Sequence, residues 1–429
     1  MKACPRCGRL YPDDSGFCPV DGSELVSATN APPDFSADDP RIGAMLFERY
    51  HLRRVVADGG MGRVYEALDL VDKRNVAVKI LHDEVSKDPV QVERFRREFE
   101  VSGQLPHQHI AQVIDFRTTA QGEHALVMEF LFGEELRGTL VREHTLSPAR
   151  LVRMMSQVAI ALDAAHDLKF VHRDLKPDNL FLCQTSDGDI VKVLDFGSVK
   201  DNAKGAKQLT QLGTTIGSPF YMPPEQAQAL ETLDHRADIW SMGAIVFECL
   251  TGQVPFSGKT GGAILLAILT QNVPMPVETA KKRGLEIPSA LDDVVERALR
   301  KTPSLRYQSM GGFADALGAA FGLTGTHLEW AHTREPELVH LIETALAIAP
   351  SLPPSTVRNA EDSFFGGRDA LAESIRATPF SKNPSLGPRP ESEPSIVVPG
   401  IGRKRSVPLG AWVCVAVAAL AALAYFILL

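Results

Sequence analysis

The sequence predicts an α+β chain of two lobes, a small β-rich lobe over residues 50–131 and a larger α-rich lobe over residues 132–322. Three observations carry that expectation. Short β-branched runs cluster after Tyr50 (YHLRRVVA, GRVYEAL, NVAVKIL), and one run with helical spacing, VERFRREFEVSGQL, follows them. Beyond Gly133 the apolar residues recur mostly with helical period, as in ARLVRMMSQVAIALDAAHDL and ADIWSMGAIVFECLTG, and continue so to about Gly322. The chain has 429 residues, 44% of them hydrophobic, with 45 Lys plus Arg against 53 Asp plus Glu, for a net charge of −8. Such a balance excludes a chain disordered as a whole and a generic nucleic-acid binder.

The remaining elements follow in order. Residues 1–26 are rich in Cys, Pro and Gly, and three of the six cysteines (Cys4, Cys7 and Cys18) fall there, the others being scattered singly. Clustering of that kind argues for a metal site in a reducing compartment, not a disulfide framework. Residues 27–49, with ATNAPPDFSADDP, show neither helical nor strand period and read as a linker. After the second lobe, residues 323–349 (with HLEWAHTREPELVHLIETALAIA) carry helix that can dock on it. Residues 350–408 hold ten prolines and nine serines and too few large apolar residues for a packed core. Residues 409–429, LGAWVCVAVAALAALAYFILL, contain no charge. As a helix they would run about 31 Å, matching a bilayer core of about 30 Å. Arg403, Lys404 and Arg405 precede this segment, so the positive-inside rule sets everything before it in the cytoplasm. The expectation is a single-pass protein of the cell membrane with its C-terminus across the bilayer; no secretory signal opens the chain.

Moving a γ-phosphoryl group requires a roof over the phosphates, a cation on the α and β phosphates, metal ligands and a base for the acceptor hydroxyl. ADGGMGRV at 57–64 lies between two strand-like runs, and Gly59, Gly60 and Gly62 let backbone amides approach phosphate. VAVK places Lys79 on a strand, and Glu98 in the helical run RFRREFE can fold back to hold it. HRDLKPDN at 172–179 is the strongest signal, because it combines a base (Asp174), a γ-phosphate contact (Lys176) and a magnesium ligand (Asn179) within eight residues. LDFG at 194–197 adds Asp195 as the charged ligand between Mg²⁺ and the nucleotide. A phosphate-loop decoy, SGKTGG at 257–262, lacks its first glycine, since Gln253 stands there.

With those motifs in order, residues 50–322 resemble a eukaryotic-type Ser/Thr protein kinase of the bacterial kind, so the fold implied is the bilobal protein kinase fold. The resemblance implies that Mg-ATP, with two magnesium ions on Asn179 and Asp195, is held by Val56, Ala57, Gly59, Gly60, Gly62 and Val64 of the roof. It implies Met128 as gatekeeper, Glu129 and Leu131 as backbone contacts to adenine, and Ala77 and Phe181 as ceiling and floor. LKPDN implies Ser or Thr acceptors on protein substrates, and Glu225 and Arg306 resemble the family's buried ion pair. Three departures, Ala57 for the first glycine, Pro223 before Pro224 and Glu225, and Ser218 for a threonine, remove no catalytic group. A kinase fold kept only for binding usually loses the lysine, the base or a metal ligand, and this chain keeps them all. The spacing Cys4-x2-Cys7-x10-Cys18-x2-Asp21 is similar to compact zinc ribbons on some bacterial kinases, with Asp21 where the fourth cysteine is missing. Arg173, next to the base, commonly pairs in this family with an activation-loop phosphate, which points to Thr214 or Thr215 and to transient pairing of two copies for trans-autophosphorylation.

Overall fold

A computed structural model of the chain describes residues 39–196, 219–230 and 233–348, and the backbone of three two-residue strands nearer the N-terminus. Those strands, β1 (Lys2–Ala3), β2 (Leu10–Tyr11) and β3 (Val26–Ser27), pair antiparallel in the order β2-β1-β3. The candidate zinc ligands Cys4, Cys7, Cys18 and Asp21, the candidate phosphosites Thr214 and Thr215, and residues 350–408 and 409–429 lie outside the described residues. Among the described residues no helix is long and apolar enough to cross a membrane.

The small lobe is one antiparallel sheet with a helix against it. Its strands are β4 (Met45–Leu46), β5 (Tyr50–Asp58), β6 (Gly62–Asp69), β7 (Arg74–Leu81), β8 (Val113–Thr118) and β9 (His124–Glu129), in the order β4-β5-β6-β7-β9-β8. Alternation within YHLRRVVA and NVAVKIL buries Tyr50, Leu52, Val76 and Val78 in the core of this sheet. A short helix, α1 (Asp83–Ser86), leads into α2 (Pro89–Gln104), whose start is set by Asp88 accepting from the Val90 amide and by Pro89 in the first turn. Along α2 the residues Phe95, Glu98, Val101 and Ser102 form the buried face, three to four apart as helical packing requires.

One boundary differs from the sequence reading. The linker expected over 27–49 ends earlier, because Met45–Leu46 pairs with β5 and the Asp39 side chain is fully enclosed. A two-residue strand carries no readable period, and an aspartate is buried there only because it is paired, so composition concealed both.

The large lobe begins with a three-stranded sheet, β10 (Gly133–Glu135), β11 (Leu180–Cys183) and β12 (Ile190–Val193), and is otherwise helical. Between β10 and β11 lie α3 (Leu136–Glu143) and α4 (Pro148–Asp167), the latter capped by Ser147 with Pro148 at its first position. After a short α5 (Pro224–Ala227) comes α6 (Arg236–Thr251), buried at every position from Ala237 to Thr251, with Asp238, Ser241, Glu248 and Thr251 enclosed among its apolar residues. Against α6 pack α8 (Pro276–Lys282) and α9 (Ala290–Ala298), while α7 (Gly261–Thr270) packs on α5 and α10 (Met310–Ala320) on α4 and α9. The extension after residue 322 is helical and docked: α11 (His327–Trp330) and α12 (Glu335–Ile348) pack on α4, burying Trp330, Leu338 and Ile342. Gly318 makes the fit, since a Cβ there would meet the Trp330 ring at 2.1 Å. Arg153 and Gln157 of α4 complete it by donating to the carbonyls of Thr333 (2.9 Å) and Ala331 (3.2 Å).

Candidate active site

The segment 172–179 is held from beneath by α6. Asp238, on the first turn of that helix and fully buried, accepts from the backbone amides of His172 (2.9 Å) and Arg173 (2.8 Å) and from the His166 ring (2.8 Å). The His172 ring bonds the carbonyl of Leu194 (2.8 Å), and the amide of Leu194 donates to the carbonyl of Asn179 (2.9 Å), so Asp195 is placed by a neighbour tied twice to this loop. Asn179 donates its amide nitrogen to the carbonyl of Asp174 (2.6 Å), and Lys176 reaches the Asp174 carboxylate at 2.9 Å. Arg173 and Asp195 both have left-handed backbone, φ +66° and +58°, a conformation non-glycine residues adopt at a cost of about 1–3 kcal/mol and one that clusters at functional sites. Here those bonds supply the compensation.

Lys79 joins the lobes. Its ammonium lies 3.8 Å from Glu98 of α2 and 3.2 Å from Asp195. Burial opposes its charge, yet the two carboxylates raise its pKa above the ordinary lysine value. Burial pushes enclosed Glu98 up toward about 8, whereas Asp195, facing the open cleft, is drawn well below the usual carboxylate range by Lys79 and a hydrogen bond from Glu98, despite its own desolvation.

The sheet register builds the upper wall. Val64 stands opposite both Ala57 and Lys79, and Ala77 opposite Met128, so these side chains share one face. The pairing slips between Val55 and Ala57, which leaves Val56 out of register and 37% exposed. Glu129 spends its amide on the Gln112 carbonyl (2.9 Å), and its carboxylate binds Lys192 at 2.7 Å. Leu131 lies in the connection from β9 to β10, and Phe181 on β11, opposite Glu135, belongs to the lower wall. Of the roof glycines only Gly62 is demanded by its surroundings: a Cβ there would sit 2.3 Å from the Ile80 carbonyl oxygen, whereas Gly60 has nothing within 4 Å.

The structure also shows residues that sequence reasoning missed. Asp238 stood in a quoted motif without a role. Arg137 of α3 donates to Glu248 (2.8 Å) and to the Tyr221 hydroxyl and lies 3.6 Å from Asp178, binding four separate segments beside the catalytic loop. No local spacing reveals such a cluster. The expected pair of Glu225 and Arg306 is present and bidentate, 2.7 Å at each oxygen. Among the described residues no three His, Cys, Asp or Glu side chains converge as metal ligands. Asn179 and Asp195 are two oxygen donors, and a magnesium ion that keeps phosphate and water oxygens needs few from the protein.

Residues 50–317 match the protein kinase domain. Among curated relatives, the serine/threonine-protein kinase PknH of Mycobacterium tuberculosis is 40% identical over 278 residues, covering 65% of this chain and 42% of its own length. Serine/threonine-protein kinase pkn3 of Myxococcus xanthus is 32% identical over 344 residues, 80% of this chain and 62% of its own. The chain thus spans less than two thirds of these relatives. The crystal structure of the Mycobacterium tuberculosis PknI kinase domain superposes with a TM-score of 0.51 at 24% identity, over 65% of this chain and 98% of that one, a likeness of fold. With a protein kinase domain matched over more than half of its length and relatives of this kind, the chain belongs to the bacterial Ser/Thr protein kinases.

Proposed function

We propose that this chain transfers the γ-phosphoryl group of Mg-ATP to Ser and Thr hydroxyls of proteins. The observation that carries the reading is Lys79 ion-paired with both Glu98 and Asp195 across a cleft whose floor holds Asp174, Lys176 and Asn179. Asp174 orients the acceptor hydroxyl and takes its proton as the new O–P bond forms. The bond from the γ-phosphorus to the bridging oxygen breaks, and ADP leaves with that electron pair. Lys79 fixes the α and β phosphates and Lys176 the γ-phosphate, in positions set before substrate arrives. Asn179 and Asp195 are the residues that would hold magnesium, because the Asn179 amide nitrogen is already engaged and its oxygen remains the donor, while Asp195 is kept ionised. Bound there, two magnesium ions supply charge neutralisation on the phosphates. Radiolabelled transfer from ATP to a protein acceptor, absent in Asp174→Asn, tests the reading; equal transfer by that variant overturns it.

Three finer features belong to the same proposal. The uncharged segment 409–429 anchors the chain in the cell membrane with the kinase domain cytoplasmic, which membrane retention of a reporter carrying only that segment would test. One zinc ion is held by Cys4, Cys7 and Cys18 with Asp21 or water, and elemental analysis of the purified chain under reducing conditions checks it. Autophosphorylation in trans falls on Thr214 or Thr215. Arg173, next to the base, is the cation that in this family commonly pairs with an activation-loop phosphate, which supports the reading. Mass spectrometry of active enzyme, with the Thr214→Ala, Thr215→Ala double variant, decides this.

A further inference from the structure

The roof of the cleft has little to hold it. Gly59, Gly60 and Met61 form the turn between β5 and β6; a side chain at Gly60 would point into open space, and Met61 is 38% exposed. What fixes the turn is its base. Asp58 and Arg63 face each other across the hairpin, with the Asp58 carboxylate accepting from Arg63 Nε (2.9 Å) and Nη2 (2.5 Å). On its other side Arg63 donates Nη1 to Asp39 at 2.5 Å. Asp39 lies outside the sheet, in the stretch that its composition marked as linker. Its carboxylate also accepts from the Tyr65 hydroxyl (2.7 Å) and the Arg41 amide (2.8 Å), and the Arg41 guanidinium reaches Glu123 in the β8–β9 turn at 2.5 Å. His82 completes the cluster, its Nε2 being 2.9 Å from the Gly59 carbonyl and 3.1 Å from Asp58.

An ion pair on an exposed surface contributes little, but Asp39 has no exposed side-chain surface and Arg63 only 28%. A desolvated carboxylate with three donors is held in one place and holds its donors in turn. Arg63 therefore cannot follow an opening of the hairpin without leaving a buried charge unpaired, a change that is strongly unfavourable. Nothing in the expected chemistry of ATP requires this carboxylate, which contacts no cleft residue.

We propose that Asp39 is a positioning residue for phosphoryl transfer: through Arg63 and Asp58 it keeps the glycine turn over the triphosphate, and so makes the stretch ahead of β5 part of the ATP site. The proposal rests on the reading that Gly59 to Gly62 roof the nucleotide. It assigns Asp39 no contact with substrate. Its signature is a separation of kinetic constants, because a looser roof weakens ATP binding while Asp174, Asn179 and Asp195 on the other lobe stay in place.

The experiment is steady-state kinetics on the full chain, with ATP and acceptor protein varied in turn. Asp39→Asn is expected to raise KM for ATP about five- to tenfold, with kcat and the acceptor KM within twofold. Hydrogen exchange of residues 58–63 should accelerate in the same variant. Tyr65→Phe removes a donor to Asp39 but leaves the Arg63 bridge, and is expected to lower the melting temperature without moving KM for ATP. If Asp39→Asn lowers the melting temperature while KM for ATP stays within 1.5-fold, Asp39 is merely structural and the proposal fails. Should that variant not fold, Arg63→Lys, at a partly exposed site, loses the two-sided fork and must show the same KM rise; an unchanged value there overturns the proposal equally. Gly60→Val separates the two readings. A raised KM in this variant with none in the others sinks the brace alone, and an unchanged KM in all of them sinks the roof as well.

Discussion

The two loops that face each other across the cleft are held in opposite ways. The catalytic loop, 172–179, is fixed by buried bonds along its length: Asp238 beneath two of its amides, His172 on Leu194, Asn179 on Asp174. The glycine turn, 59–62, is held by fewer bonds: the Gly59 amide on the Gly62 carbonyl (3.1 Å), His82 on the carbonyls of Met61 (3.1 Å) and Gly59 (2.9 Å), and at its base the Asp58–Arg63–Asp39 bridge. One must present Asp174, Lys176 and Asn179 in fixed positions, so rigidity serves it. The other must admit and release a nucleotide. The difference follows from composition, since a segment with His, Asp, Lys and Asn has side chains to bond with and a turn of GGMG has almost none.

Removing the support beneath the catalytic loop should have the largest effect. Asp238→Ala leaves two backbone amides and the His166 ring without their acceptor in a fully buried place, and is expected to destabilise the chain by about 3–5 kcal/mol and abolish transfer together. Denaturant unfolding and a transfer assay on the same preparation check it, and a loss confined to one of them breaks the account. Lys79→Met should separate the two properties. The lysine spans Glu98 and Asp195 rather than supporting a core, so transfer falls about 10²–10³-fold while the unfolding midpoint moves little. A comparable drop in stability would show that the ion pairs hold the lobes together.

The glycine turn offers the sharper contrast, within four residues. Gly62→Ala brings a methyl 2.3 Å from the Ile80 carbonyl oxygen, so backbone must shift, with an expected cost of about 1–3 kcal/mol. Gly60→Ala places its methyl in open space and should stay within about 0.5 kcal/mol. Thermal melts of the two variants settle whether the turn is held at its end or throughout.

How much of this was legible in the sequence divides along the same line. HRDLKPDN, LDFG, VAVK and GGMG announced Asp174, Lys176, Asn179, Asp195, Lys79 and the turn, because each motif packs its chemistry into consecutive residues. The strands, α2 and α6 were readable from period. Asp39, Asp238 and the Arg137–Glu248–Tyr221 cluster were not, because each acts on residues distant in the chain: Asp39 reaches Arg63 across 24 positions and Asp238 reaches His172 across 66. A buried aspartate looks like any surface aspartate until its partners are known. The early end of the linker was hidden for the same reason.

A milder perturbation than any substitution in the loop, a change of pH, tests whether the catalytic loop's support is electrostatic. His166 on α4 bonds Asp238 at 2.8 Å, with Asp163 at 3.8 Å from its other ring nitrogen, while Asp163 itself caps the amides of Met310 and Gly311 at 2.8 Å each. Burial disfavours the imidazolium, but the two carboxylates win and raise its pKa from about 6.5 to about 9. The His235 ring 5.4 Å away shares the site. A group whose folded pKa lies above its unfolded one binds protons more tightly in the folded state, so its stabilisation is complete below pH 6.5 and fades as pH rises through about 9. Raising pH from 6.5 to 9 should therefore lower the unfolding free energy by on the order of 1–3 kcal/mol. His166→Gln keeps a donor for Asp238 without a charge, and should flatten the profile over that window while lying below the parent at pH 6.5. A parent profile flat between pH 6.5 and 9 would mean that His166 is neutral in the folded chain. Asp238 would then hold the catalytic loop by hydrogen bonds alone.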